Sequence, residues 1–193
     1  MNWANRLTVG RFFLTLIFVA ALSCTFPLHY TLALVLFVIA GITDYMDGEI
    51  ARRCSLVTDF GKLMDPLIDK IMMASAFICL VPIGAMPAWV VVIIISREFL
   101  VTGLRLLAIS KGQVLAAESL GKHKTAWQIA TVIFYLLLLS IRELTHFEAN
   151  NLPVWYQWLW RPAGTVLLAV AVALTLVSGV GYLWKNRAVI QMR

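Results

Sequence analysis

The sequence predicts an all-α, polytopic membrane protein: a bundle of six transmembrane helices with a short interfacial helix at its N-terminus. Three observations carry this reading. Of the 193 residues, 61% are hydrophobic and 13% charged, with a mean hydropathy of +0.86; a soluble domain has about 45–50% apolar and about 25% charged residues. Apolar runs near the ~20 residues that cross a bilayer fall at 10–24, 29–47, 62–82, 86–109, 125–142 and 162–184. No repeat, low-complexity tract or long linker separates them, so a single membrane domain over 1–193 is expected.

Each element has its own justification. Segment 2–9 is expected to lie flat on the membrane, with Trp3 and Leu7 toward lipid and Arg6 toward headgroups. Together with the run from Phe12 to Ala21-Leu22-Ser23 it has the outline of a signal peptide, but the spans that follow argue against cleavage. Pro27 separates the first and second runs. Pro82 and Pro87 bracket the turn between the third and fourth, and Pro153 precedes the last. The stretch Trp155-Tyr156-Gln157-Trp158-Leu159-Trp160 reads as an interfacial aromatic belt.

Charge sets the orientation. Arg6, Arg11, Arg52, Arg53, Lys62, Lys111, Lys122, Lys124, Lys185, Arg187 and Arg193 fall on one side. Arg142 and Arg161 fall on the other, partly offset by Glu143 and Glu148. The positive-inside rule then places both termini in the cytoplasm. The net charge of +6 is accounted for by basic loops that meet anionic membrane lipids, and no nucleic-acid partner is expected. The three cysteines, Cys24, Cys54 and Cys79, form no ligand spacing or disulfide framework.

Four aspartates stand out against this background. A carboxylate at the centre of a bilayer costs about 2.5–3.5 kcal/mol on insertion scales, so a compensating cation is required. Asp44 and Asp47, three residues apart, share one helix face, as do Asp65 and Asp69, four apart on the next helix. Two such pairs on adjacent antiparallel helices would converge into one carboxylate box. All-oxygen donors suit a hard cation, Mg²⁺ or Mn²⁺, and two ions could clamp a phosphoryl group. Gly48 and Gly61 permit close approach to the backbone, Arg52 offers a forked donor to phosphate, and Pro66 predicts a kink beside Asp65. The alternative is a salt-bridge network with Arg52, Arg53, Lys62 and Lys70.

Read from Asp44 to Asp69, the spacing is Asp-x2-Asp-Gly-x2-Ala-Arg-x8-Gly-x3-Asp-x3-Asp. This resembles the signature of the CDP-alcohol phosphatidyltransferases. The resemblance implies that Asp44, Asp47, Asp65 and Asp69 hold two divalent ions and that Asp69 is the base that deprotonates an acceptor alcohol. It also implies that Gly48, Arg52 and Gly61 contact the cytidine diphosphate of the donor, within a six-helix fold that is usually a homodimer. The opening Asn5-Arg6-Leu7-Thr8-Val9-Gly10-Arg11 is similar to the Asn-x-Leu-Thr-x-x-Arg pattern of many members. Asn5 and Thr8 are thus candidates for donor binding, or for capping the first helix.

The acceptor is read from charges beyond the signature. Arg97, Glu98, Thr102 and Arg105 lie inside an apolar run, where ionisable residues are functional candidates by default; a helix-positioning Glu98–Arg105 pair is the alternative. Lys122 and Lys124 open the next run and are either snorkelling residues or further cations around an acceptor phosphate. The segments Arg-Glu-Phe-Leu-Val-Thr-Gly-Leu-Arg and Gly-Lys-x-Lys-Thr are similar to those of bacterial family members that make phosphatidylglycerophosphate. That implies CDP-diacylglycerol as donor, sn-glycerol 3-phosphate as acceptor, and a bacterial cytoplasmic-membrane enzyme with its active site facing the cytoplasm. Two competing readings are a relative that uses phosphatidylglycerol, serine or inositol phosphate, and a divalent-cation transporter.

Overall fold

The computed structural model describes residues 3–54, 59–110, 119–147 and 151–187, excluding the side chains of 3–7, 45–54, 59–63, 65, 110 and 119–122. Among the described residues the fold is helical throughout: α1 (Trp3–Ser23), α2 (His29–Cys54), α3 (Asp59–Leu80), α4 (Ala88–Ser110) and α5 (Ser119–Leu144), then α6 (Val154–Lys185). These six helices coincide with the six apolar runs. Two of them, over His123–Leu144 and Val154–Lys185, are long and apolar enough to cross a membrane by length and composition. Thr8–Ser23 and His29–Asp44 are shorter apolar stretches.

The separate interfacial helix expected over 2–9 is corrected: α1 runs unbroken from Trp3 to Ser23. No proline interrupts it, and the inward stripe Thr8, Arg11, Thr15, Phe18, Ala21 is buried from end to end. This spacing of three and four residues defines one helix face. Thr8 therefore sits in the helix interior and is not an N-cap, and Asn5 also lies within the helix.

Turn chemistry agrees with the sequence. Gly84 follows Pro82 at a φ of 77°, where a residue without Cβ is favoured, whereas Leu28 after Pro27 holds a φ of 65° with its Cβ present. Gly84 N–H donates to Val81 O at 3.0 Å, and Ala85 N–H to Leu80 O at 3.2 Å. Pro66 lies inside α3, which carries on through it. Helix α1 packs on α2 and α3, α2 on α5, and α6 on α4 and α5, while α3 also meets α4 and α5. The main core gathers Phe18, Phe37, Phe77, Leu80, Leu136 and Leu139. A second cluster joins Val101, Leu104, Ala108 and Tyr182. Outward-facing residues are apolar too, including Phe13, Val92, Phe99, Val166 and Trp184. That surface suits lipid better than water.

Two polar features tie the far end together. Glu143 on α5 accepts hydrogen bonds from Tyr30 N–H (3.3 Å), Thr31 N–H (2.9 Å) and Thr31 Oγ1 (2.9 Å). A residue of another helix thus satisfies the orphan donors at the start of α2. The aromatic stretch is more than the expected belt. Trp155 and Trp158 are exposed, but Tyr156 is buried, and its hydroxyl donates to Leu138 O at 3.1 Å. Tyr156 also stacks on Trp160 at 6.1 Å. The stretch alternates because a helix presents different faces at successive residues.

Helix α6 contains one π turn, Leu159–Ala163, with Pro162 inside it. Proline has no N–H to donate to the carbonyl four residues back. Gly164 N–H reaches Leu159 O, five residues back, the signature of a π turn.

Candidate active site

The catalytic candidates continue the core stripes of their helices. On α2, Ala33, Phe37 and Ala40 are buried, and Asp44 is the next position in the same series. On α3, Met72, Ala76 and Leu80 are inward, and Asp69 and Asp65 extend that stripe toward the start of the helix. Helical periodicity therefore turns Asp44 and Asp69 toward the space between the helices.

Asp44 and Asp69 meet at one guanidinium. Arg11, 1% exposed, uses Nη1 to contact Asp69 Oδ1 at 2.6 Å and Asp44 Oδ1. Three helices thus converge on one cation. Asp47 and Asp65 lie within about one turn of these carboxylates along their helices. Their side chains, like those of Asn5, Gly48, Arg52, Gly61 and Lys122, fall outside the described residues. No group of three or more His, Cys, Asp or Glu capable of holding a metal occurs among the described residues. Of the cations in the salt-bridge alternative, the side chains of Arg52, Arg53 and Lys62 fall outside the described residues. Asp44 and Asp69 are paired from α1, while Lys70 Nζ donates to Thr102 Oγ1 at 2.6 Å.

Beside this lies a polar seam through α4, α5 and α6. Glu98 pairs with buried Lys124 and, at 3.4 Å, with Arg97 Nη1. Arg97 Nη2 donates to Ser178 Oγ at 3.0 Å, and Gln128 Nε2 donates to Thr175 Oγ1 at 3.0 Å. Gly179 gives Arg97 its path: a Cβ there would lie 2.9 Å from Arg97 Cγ. Of the expected acceptor residues, Arg97 and Lys124 come together around Glu98. Arg105 is exposed and makes no ion pair with Glu98 among the described residues.

A cavity of about 320 Å³ links the two halves. Asp69 and Lys70 line it from α3, Glu98 from α4, and Thr125 and Gln128 from α5. Its remaining walls are apolar, with Met73, Phe77 and Ile95 among them. The sequence marks Arg11 as a basic residue at the end of the family's opening pattern and Lys70 as a salt-bridge candidate, but gives neither of them, nor Gln128, a place in the pocket. The signals were present: Arg11 stands three residues after Thr8, and Gln128 four after Lys124, so each pair shares a helix face.

The profile of the CDP-alcohol phosphatidyltransferase family matches residues 1–177. The chain belongs to the CDP-alcohol phosphatidyltransferase family. This phosphatidyltransferase is 40% identical to the CDP-diacylglycerol–glycerol-3-phosphate 3-phosphatidyltransferase of Bacillus subtilis, over 96% of this chain and 95% of that one. It is 36% identical to the protein of that name from Treponema pallidum, over 78% of this chain and 68% of that one. With the Rickettsia bellii protein of the same name it shares 35% identity, over 94% and 93%. The family as a whole is divalent-metal dependent. The residues present fit such an ion, since two carboxylates from different helices, offering oxygen donors only, already converge on one positive charge.

Proposed function

We propose that this phosphatidyltransferase moves a phosphatidyl group from CDP-diacylglycerol to sn-glycerol 3-phosphate, giving phosphatidylglycerophosphate and CMP. The observation that carries the reading is the shared cavity, in which Asp69 faces the same space as Lys70, Glu98 and Gln128. A base and an anion-binding cluster would then act on one small acceptor.

Asp44, Asp47, Asp65 and Asp69 would hold two divalent ions, Mg²⁺ or Mn²⁺. Bound there, such ions neutralise the pyrophosphate and the departing CMP. Asn5, Thr8, Gly48, Arg52 and Gly61 bind the cytidine diphosphate portion. Arg97 and Lys124, together with Lys122 and Arg105, hold the acceptor phosphate, while Glu98 orients Arg97 and Lys124. Asp69 takes the proton from the acceptor hydroxyl. The hydroxyl oxygen then attacks the phosphorus nearer the lipid, and the bond to CMP breaks with its electron pair leaving on CMP. Arg11 fixes the distance between Asp44 and Asp69 so that the base faces the acceptor.

In this reading the chain is one multi-pass domain of the bacterial cytoplasmic membrane, with all six helices crossing it. Both termini and the carboxylates lie on the cytoplasmic side, and the working unit is a homodimer. The test is CMP release by purified protein with CDP-diacylglycerol, Mg²⁺ and a panel of alcohols. Release with glycerol 3-phosphate alone is expected. Release only with serine, inositol phosphate or phosphatidylglycerol would overturn the acceptor assignment and leave the transfer reaction standing.

A further inference from the structure

At the end of the bundle remote from the carboxylates lies a second and larger concavity, of about 820 Å³. It opens between the α3–α4 turn with the start of α4, the middle of α5, and α6. Asp69, midway along α3, and Leu80, at its end beside the α3–α4 turn, are separated by about 16 Å of helix rise, so this space is distinct from the catalytic cavity.

Its lining has a definite polarity. Along α6 the stripe runs from Arg161 through Thr165, Leu168 and Val172 to Leu176, about 22 Å of helix rise. One leaflet's share of the hydrocarbon core is about 15 Å. The stripe is thus long enough for an acyl chain and carries a single charge, at one end. Arg161 is exposed and has no ion pair or hydrogen bond among the described residues. Trp89 and Trp160 line the space near it, as aromatic residues do at headgroup level.

A second polar group also faces this space. Tyr135 is 1% exposed, lines the concavity, and stands edge-on to Trp160 at 5.3 Å. Its hydroxyl has no hydrogen-bond partner among the described residues. It packs so closely on Gly164 that a Cβ there would overlap it. The hydroxyl oxygen is not sealed from the concavity, so a group entering from outside the chain can meet it.

We propose that this groove between α4, α5 and α6 binds an anionic phospholipid. Its phosphate sits on Arg161, its glycerol-ester region comes within reach of Tyr135, and one acyl chain lies along Leu168, Val172 and Leu176. An exposed cation at the mouth of an otherwise apolar groove matches an anionic headgroup above an acyl chain. The proposal rests on the membrane setting of the chain and not on its acceptor.

The experiment is native mass spectrometry of the full chain released from nanodiscs of phosphatidylglycerol or phosphatidylcholine. Saturating CDP-diacylglycerol is present to occupy the catalytic site. Retention of one phosphatidylglycerol in preference to phosphatidylcholine is expected. Arg161→Gln should lower it about fivefold, the factor that one cation contributes near an anionic lipid surface. Ala173→Phe, which fills the groove without changing charge, should abolish retention while CMP release persists. Equal retention of both lipids, or unchanged retention in both variants, would overturn the proposal. So would a disulfide between two copies of an Ala173→Cys variant.

Discussion

Arg11 Nη1 lies 2.6 Å from Asp69 Oδ1, and the same nitrogen contacts Asp44. One side chain of α1 therefore neutralises carboxylates of both α2 and α3. Replacing Arg11 by Gln leaves two acids facing each other without their shared donor. A charge-assisted hydrogen bond of this kind contributes about 1.5–3 kcal/mol. The midpoint of thermal unfolding in detergent should fall, and fall further in EDTA than in Mg²⁺, because a divalent ion supplies the missing positive charge. Equal losses under the two conditions would show that Arg11 supports only packing.

Asp69→Asn keeps the shape of the side chain and removes the proposed base. CMP release should drop by about 10²–10⁴-fold, the usual contribution of a positioned base. Full activity in this variant would transfer the role of base to another group.

The ring around Glu98 predicts a graded response among the cations. Arg97→Ala and Lys124→Met should each raise the KM for glycerol 3-phosphate roughly 10- to 100-fold, the range that 1.5–3 kcal/mol of charged hydrogen bonding represents. The KM for CDP-diacylglycerol should change little. Arg105→Ala should do less, because Arg105 is exposed and makes no ion pair with Glu98 among the described residues. A larger effect from Arg105 than from Arg97 would relocate the acceptor phosphate to the rim.

Gly179 touches neither substrate in this reading, yet its missing Cβ makes the space for Arg97. Gly179→Ala should raise the acceptor KM by displacing Arg97 and Ser178 from their 3.0 Å hydrogen bond. Unfolding would be little affected, since alanine is the better helix former. Steady-state kinetics with each substrate varied in turn would detect the split.

At the far end, Glu143→Gln should cost about 1–2 kcal/mol, comparable to the loss of a helix cap. The change weakens the acceptor for Tyr30, Thr31 and His29 without approaching the cavity. A shift in unfolding with unchanged kinetic constants is the expected result.

Much of this is legible in the sequence. Spacing groups Asp44 with Asp47 and Asp65 with Asp69, each pair on one helix face, which is why α2 and α3 were expected to bring carboxylates together, and hydropathy located all six helices. Arg11 was harder to see. A basic residue near the start of a run reads equally as a loop charge, and its partners lie 33 and 58 positions away. Ser178 and Gly179 were invisible for the same reason. Their role depends on α6 packing against α4, which no local pattern states. Tyr156 illustrates the converse error: composition marked the segment as aromatic, but only the helix phase shows which rings turn inward.

That phase is set by the π turn. Tyr156, Trp160, Gly164 and Leu168 follow one another at intervals of four, and each such step drifts about 40° round a regular α-helix. The wider turn at Leu159–Ala163 takes up part of that drift. Tyr156 in the first half of α6 meets Leu138 on α5, while the second half meets both Gln128 on α5 and Arg97 on α4. Helix α6 is therefore geared rather than rigidly ruled: deleting a single residue within the turn would rotate one half against the other by about 100°. Two sets of partners could not then be met at once, and a change far from the carboxylates would be felt at Arg97.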